Sequence, residues 1–108
     1  MPYAPLLDEA GVATGLGRLE HWRQEGNAIV REDHFATFPA AIAFVGRVAE
    51  LAEEADHHPD IDIRWRRVRL RLTTHASGGL TARDFDLATL IDGVIDEMAS
   101  GTDRQPSR

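Results

Sequence analysis

Residues 61 to 72 read Ile-Asp-Ile-Arg-Trp-Arg-Arg-Val-Arg-Leu-Arg-Leu. Apolar side chains fall on odd positions through Trp65 and on even positions from Val68 onward. Alternation with a period of two is the pattern of a strand with one buried face. A change of parity partway along it is what a chain reversal requires, so this stretch predicts an antiparallel hairpin centred on Arg66-Arg67. Trp65 then lies opposite Val68, Ile63 opposite Leu70 and Ile61 opposite Leu72, all on one face, with Trp65 in the sheet core. Arg66-Arg67 is not an Asn-Gly turn; a four-residue loop with the same centre keeps the same register. The other face carries Arg64, Arg66, Arg67, Arg69 and Arg71. In this register Arg64 faces Arg69, and Asp62 facing Arg71 offsets only part of the repulsion. An acidic surface of a neighbouring subunit is the expected cover for that face.

The flanking segments have the helical period. Ala41, Phe44, Val45, Val48, Leu51, Ala52 and Ala55 make one broad apolar stripe. Thr37 is placed to cap this helix, and Pro39 suits its first turn. Pro59 ends it and pushes His58 toward extended backbone. A last helix opens at Thr81, where Thr81-Ala-Arg-Asp84 fits a capping box, and Leu87, Ala88, Ile91, Val94 and Ile95 form its stripe. Leu7, Val12, Leu16 and Leu19 predict a short first helix, weakened by Gly11, Gly15 and Gly17. A turn signal at Glu25-Gly26-Asn27 separates strands expected near His21 to Gln24 and over Ala28 to Phe35. Asp33 interrupts the second of these where an apolar residue belongs. The resulting fold class is α+β, in the order α-β-β-α-β-β-α. It is one four-stranded antiparallel sheet with three helices on one face. Residues 1–98 form the domain, and 99–108 are expected to be a disordered polar tail.

The chain has 108 residues, no cysteine and a formal net charge of −6. Disulfide and thiolate chemistry are thereby excluded. An acidic chain is a poor prior for nucleic-acid binding, which depends on neutralising phosphates. No apolar run approaches a membrane span and no signal peptide is visible, so a cytoplasmic protein is expected.

The candidate chemistry lies where the helix ending in Asp56-His57-His58-Pro59 meets the hairpin. Extending the ladder outward puts His75 opposite His58, so His57, His58 and His75 are predicted to converge. Gly78-Gly79 and the amino end of the last helix follow at once, offering N–H groups suited to an oxygen-rich ligand. Three readings compete. Paired histidines at a helix end often serve only its last carbonyls. A metal site would want His-x-x-x-His, His-x-His or cysteine spacings, and the chain has none. Acid/base work fits imidazoles gathered around one ligand, because histidine titrates near neutrality. Ser77 sits nearby, but nothing marks it as an activated nucleophile. Loss of water, which needs only proton shuttling, suits the inventory best.

At these residues the sequence resembles the pterin-4a-carbinolamine dehydratase family. Glu53, His57-His58-Pro59, Trp65, His75 and Asp84 follow the family's signature order and spacing. The stretches RVAELAEEADHHPDI, LTTHASGGLTARD and LATLID read alike, and the likeness runs from about Trp22 to Ile95. The resemblance implies dehydration of 4a-hydroxytetrahydropterin to quinonoid dihydropterin in tetrahydrobiopterin recycling. It implies a pterin as substrate, no cofactor or metal, and a homodimer or homotetramer. It also implies a functional link to an aromatic amino acid hydroxylase. His57, His58 and His75 map onto the family's three histidines. His57 and His75 are expected to move protons and His58 to orient the substrate, with Pro59, Ser77 and Asp84 completing the binding set. Asp84 is equally expected as a helix-capping carboxylate, and Glu53 as a solvated residue that at most orients a histidine. Other possibilities are a different pterin, or a binding and dimerisation module of the transcriptional-cofactor kind found among animal relatives.

Overall fold

The computed structural model describes residues 4–100. The elements come in the expected order: α1 (Glu9–Gly17), β1 (Arg23–Glu25), β2 (Ala28–His34), α2 (Phe38–Ala55), β3 (Asp60–Arg64), β4 (Arg67–Leu72) and α3 (Ala82–Ser100), with one 3-10 turn at His75–Ser77 between β4 and α3. The four strands form one antiparallel sheet in the order β1-β2-β4-β3. Ile29, Val68, Leu70 and Leu72 of the sheet form a single buried core with Val12 of α1, Ala41, Phe44 and Val48 of α2, and Leu87, Ala88, Ile91 and Val94 of α3. The three helices therefore share one face of the sheet, as the periodicities required. The expected tail boundary moves, because α3 runs through Ser100. The rest of the expected tail lies outside the described residues.

Local chemistry sets the helix ends. Asp8, which the sequence reading passed over, accepts from the Gly11 amide at 2.8 Å and caps α1. Thr37 accepts from Ala40 at 3.1 Å and caps α2, with Pro39 in the first turn. The glycines of α1 have a packing reason at one position. A Cβ on Gly15 would stand 2.6 Å from the Phe85 ring, so α1 can lie on α3 there only without a side chain.

The break in the β2 pattern also has a cause. Ile29, Arg31 and Asp33 face Leu72, Leu70 and Val68 across the ladder, so Arg31 and Asp33 occupy core-side positions. Arg31, only 4% exposed, donates through Nε and Nη2 to Asp33 at 2.6 and 3.0 Å. Its Nη1 donates to Asp92 of α3 at 2.6 Å. Asp33 stands in an apolar slot because it neutralises the buried arginine beside it.

The hairpin forms, but its register is corrected by two residues. The turn is Trp65-Arg66, and the pairs are Arg64 with Arg67, Ile63 with Val68, Asp62 with Arg69, Ile61 with Leu70 and Asp60 with Arg71. Moving by two keeps the side chains that remain in the strands on their expected faces. Trp65 leaves the core altogether: it is 86% exposed and sits at the turn with φ 55°. The shift removes the predicted clash of Arg64 with Arg69. Arg69 faces Asp62 and donates to Glu25 at 2.6 Å, while Arg71 faces Asp60 and reaches its carboxylate at 3.5 Å. The arginine face is largely neutralised within the chain, which removes the reason given for an acidic neighbour. Burial opposes the charge of Arg31, yet hydrogen bonds and attraction from Asp33 and Asp92 outweigh it and hold the guanidinium above its ordinary range.

Candidate functional site

The site grows from the end of α2. Asp56 adopts a left-handed conformation, φ 51° and ψ 46°. The His57 amide bonds back to Ala52 at 3.0 Å and the Asp56 amide to Glu53 at 3.2 Å. This pair of bonds is a Schellman closure, which satisfies carbonyls the helix would otherwise leave open. Asp tolerates the left-handed region better than most side chains. The closure turns the chain sharply, so His57 is buried before β3 starts after Pro59. Arg83, from the first turn of α3, donates to the Ala55 and Asp56 carbonyls at 3.1 and 2.7 Å. The end of α2 is thus tied to the beginning of α3.

The other half is the N-terminus of α3. The expected capping box is present: the Thr81 amide donates to Asp84 Oδ2 at 2.9 Å, and Thr81 Oγ1 accepts from Arg83 at 3.2 Å. Asp84 is fully buried. Its Oδ2 also accepts from the Thr74 hydroxyl at 2.8 Å, and Thr74 Oγ1 in turn lies 2.8 Å from Thr81 Oγ1. Its Oδ1 meets His57 Nε2 at 2.6 Å. A carboxylate can only accept, so the proton of this bond belongs on Nε2. Nδ1 is the ring nitrogen outside this bond. Among the described residues it has no hydrogen-bond partner. The two expectations for Asp84 meet in one side chain: one oxygen holds the helix cap and the other holds His57.

The expected residues are placed as follows. His57 is buried and lines a cleft of about 170 Å³ with Ala55, Arg83, Asp86, Leu87 and Leu90. His58, exposed, bonds through Nε2 to Glu53 at 2.7 Å, as the reading of Glu53 anticipated. Pro59 is half-buried and opens the way into β3. His75 is exposed, at the first position of the 3-10 turn. The expected pairing of His75 with His58 is corrected. β4 ends at Leu72, and the chain then closes a small loop in which Thr74 bridges Gly79. What joins the two sites is the carboxylate: Thr74, next to His75, and His57 both bond to Asp84. Neither His58 nor His75 lines the His57 cleft. The Ser77 hydroxyl bonds to the Ala4 carbonyl at 2.5 Å and so fastens the N-terminal segment. Thr74 and Arg83 are the residues sequence reasoning missed. A threonine at a strand end and an arginine in a first turn carry no spacing signal of their own. Among the described residues no three His, Cys, Asp or Glu side chains gather as a metal site would require, and no helix is long and apolar enough to cross a membrane.

Residues 5–94 match the family model for pterin 4 alpha carbinolamine dehydratase. This chain belongs to that family. A protein of Roseiflexus castenholzii, named provisionally as a pterin-4-alpha-carbinolamine dehydratase, is 55% identical over 92 residues, 85% of this chain and 99% of that protein. A likewise named protein of Chloroflexus aurantiacus is 58% identical over 91 residues, covering 84% of this chain and 98% of the relative. Among solved structures, the transcriptional coactivator/pterin dehydratase of Brucella melitensis superposes with a TM-score of 0.79 at 31% identity, over 82% of this chain and 96% of the other. A pterin dehydratase-like protein described as a RuBisCO assembly factor in the alpha-carboxysome shares the fold, with a TM-score of 0.58 at 24% identity over 68% of this chain and 87% of the other.

Proposed function

We propose that this member of the pterin-4a-carbinolamine dehydratase family is an active hydro-lyase that converts 4a-hydroxytetrahydropterin to quinonoid dihydropterin and water. The reaction needs one proton delivered and one removed. The 4a-hydroxyl leaves as water when protonated, the C4a–O bond breaks, the N5 proton departs and a C4a–N5 double bond forms. The observation that carries the reading is His57 held at 2.6 Å by a fully buried carboxylate that also receives Thr74 and Thr81. Such a carboxylate fixes the ring and its tautomer and leaves Nδ1 as a base. It also stabilises the imidazolium that forms once Nδ1 has taken a proton. His75, on the surface beyond Thr74, is the second proton-transfer group of the proposal. His58 with Glu53 then orients the substrate beside Pro59. Asp84 belongs behind His57 as its positioning residue. The proposed setting is tetrahydrobiopterin recycling beside an aromatic amino acid hydroxylase, in the cytoplasm.

The test is a direct dehydratase assay with 4a-hydroxytetrahydropterin on the purified protein. His57→Ala and His75→Ala are each expected to lower turnover by about 10²–10⁴-fold, the range for a positioned acid or base, with the circular dichroism of the fold retained. Wild-type turnover in both variants would overturn the mechanism, and an inactive wild-type protein would overturn the function. The coactivator in the name of the Brucella relative supports a second reading, a binding module of the transcriptional-cofactor kind. An inactive chain that still bound a regulator through residues outside the histidine site would favour that one.

A further inference from the structure

Arg83, Asp86, Leu87 and Leu90 share one face of α3, at positions i, i+3, i+4 and i+7. With Ala55 and His57 they wall the cleft of about 170 Å³. An arginine and an aspartate three apart on a helix ordinarily pair. Here the two stay apart, because Arg83 Nη2 donates to the Ala55 and Asp56 carbonyls at 3.1 and 2.7 Å. Fastening the end of α2 uses only Nη2. Nε and Nη1 of Arg83, and both oxygens of Asp86, have no partner among the described residues. Nor does its own helix favour a cation in the first turn, where the dipole opposes it. The cleft thus offers a half-buried fork of donors, held in place by two carbonyls, and an acceptor-only carboxylate. Its other walls are largely aliphatic, and Leu90 is exposed. Apolar walls with a few fixed polar groups are how a site orients a small ring.

We propose that Arg83 and Asp86 determine which heterocycle this site accepts, by recognising the 2-amino-4-oxopyrimidine edge of a pterin. The inference rests on the dehydratase reading and adds to it how the substrate is selected. That edge presents a carbonyl oxygen at C4, an N–H at N3 and an amino group at C2, which is one acceptor followed by two donors. Arg83 can only donate, and takes the C4 oxygen. Asp86 can only accept, and takes N3–H and the 2-amino group side by side, one on each oxygen. Leu87 and Leu90 carry the face of the ring. The cleft is smaller than the roughly 300–1,000 Å³ of sites that enclose a whole small molecule. It therefore takes one ring and leaves the other outside. C4a is bonded to C4, so anchoring the C4 oxygen on Arg83 brings the reacting C4a–N5 bond to the wall that His57 forms.

Calorimetric titration of the full chain with two unreactive probes tests this. The probes are pterin and lumazine, which carries a carbonyl at C2 in place of the amino group. Lumazine sets an oxygen against Asp86, so the wild-type protein is expected to bind pterin about 10-fold more tightly, the scale of one hydrogen bond to a charged group. Asp86→Ala is expected to weaken pterin by about the same factor and lumazine not at all, which erases the preference. Arg83→Lys keeps the charge but loses the fork, and is expected to weaken both probes, since both carry the C4 oxygen. In the dehydratase assay Asp86→Ala should raise KM more than it lowers kcat, the mark of a group that binds without reacting. Asp86 is exposed and has no partner within the described chain, so its removal leaves the fold intact. If Arg83→Lys fails to fold, the Asp86 measurements decide alone. Equal binding of the two probes by the wild type, or an Asp86→Ala protein that keeps the preference, would overturn the proposal even in an active dehydratase. A wild type that prefers pterin through Asp86 yet turns over no 4a-hydroxytetrahydropterin would instead overturn the dehydratase reading and leave the recognition standing.

Discussion

Two aspartates on α3, Asp84 and Asp92, stand two turns apart, about 12 Å along the axis, and each is gripped by residues outside the helix body. Asp92 accepts from Arg31 at 2.6 Å and from the Trp22 indole at 2.7 Å. Asp84 accepts from His57, Thr74 and Thr81. The first cluster is held by a guanidinium that never loses its charge and has Nε, Nη1 and Nη2 all engaged. The guanidinium has no proton to give, and the cluster locks β2 to α3. The second is held by an imidazole, whose other ring nitrogen lies outside the bond to Asp84. The same residue type on the same helix is therefore a fastener in one place and a support for proton transfer in the other. What separates them is the partner.

The comparison can be broken by experiment. Arg31→Met should have the largest effect on stability. It leaves two carboxylates near the core without their cation, and loss is expected at about 3 kcal/mol, the low end for breaking a buried pair, because both acids keep some contact with water. Urea unfolding would measure it, and dehydratase turnover per folded molecule should be unchanged. A loss of turnover in the folded variant would mean that the two clusters are not separate. Asp84→Asn should behave in the opposite way. Stability should fall by about 1 kcal/mol, the worth of a helix cap, while turnover falls by less than in His57→Ala. Combined with His57→Ala it should add nothing further to the activity loss, because it acts through that ring. Multiplying effects in the double variant would show that Asp84 touches the reaction by itself. Thr74→Val should cost about 1 kcal/mol, the scale of one buried hydrogen bond, since Asp84 Oδ2 keeps the Thr81 amide. A stability equal to wild type would remove Thr74 from the cluster.

The smallest effect should come from the exposed face. The hydrogen bond from Arg69 holds the Glu25 carboxyl below its ordinary value. A carboxyl lowered in the folded state contributes stability that is present above its unfolded value and is lost as pH falls through the folded one. Glu25→Gln should therefore differ from wild type slightly at neutral pH and converge with it in acid. A difference that grew on acidification would contradict the pairing.

Much of this molecule was written in its sequence, where local rules act. The helical stripe ending at Pro59, the Thr37 and Thr81 caps and the parity change after Trp65 gave the order of elements and the faces they bury. Each depends on residues a few positions apart. The register of the hairpin was missed by two residues, because side-chain parity is blind to a shift that preserves it. The turn alone decides such a shift, and Trp65-Arg66 carries no Asn-Gly signal. The sequence also brought His57, His58, His75 and Asp84 under suspicion through their resemblance to a family pattern. Only the tertiary structure made Asp84 the common partner of His57 and Thr74, and only it explained Asp33 through Arg31 and Asp92. Buried charges must find partners wherever the fold brings them, at separations of 27 and 61 residues here. No periodicity along the chain can announce a bond across it.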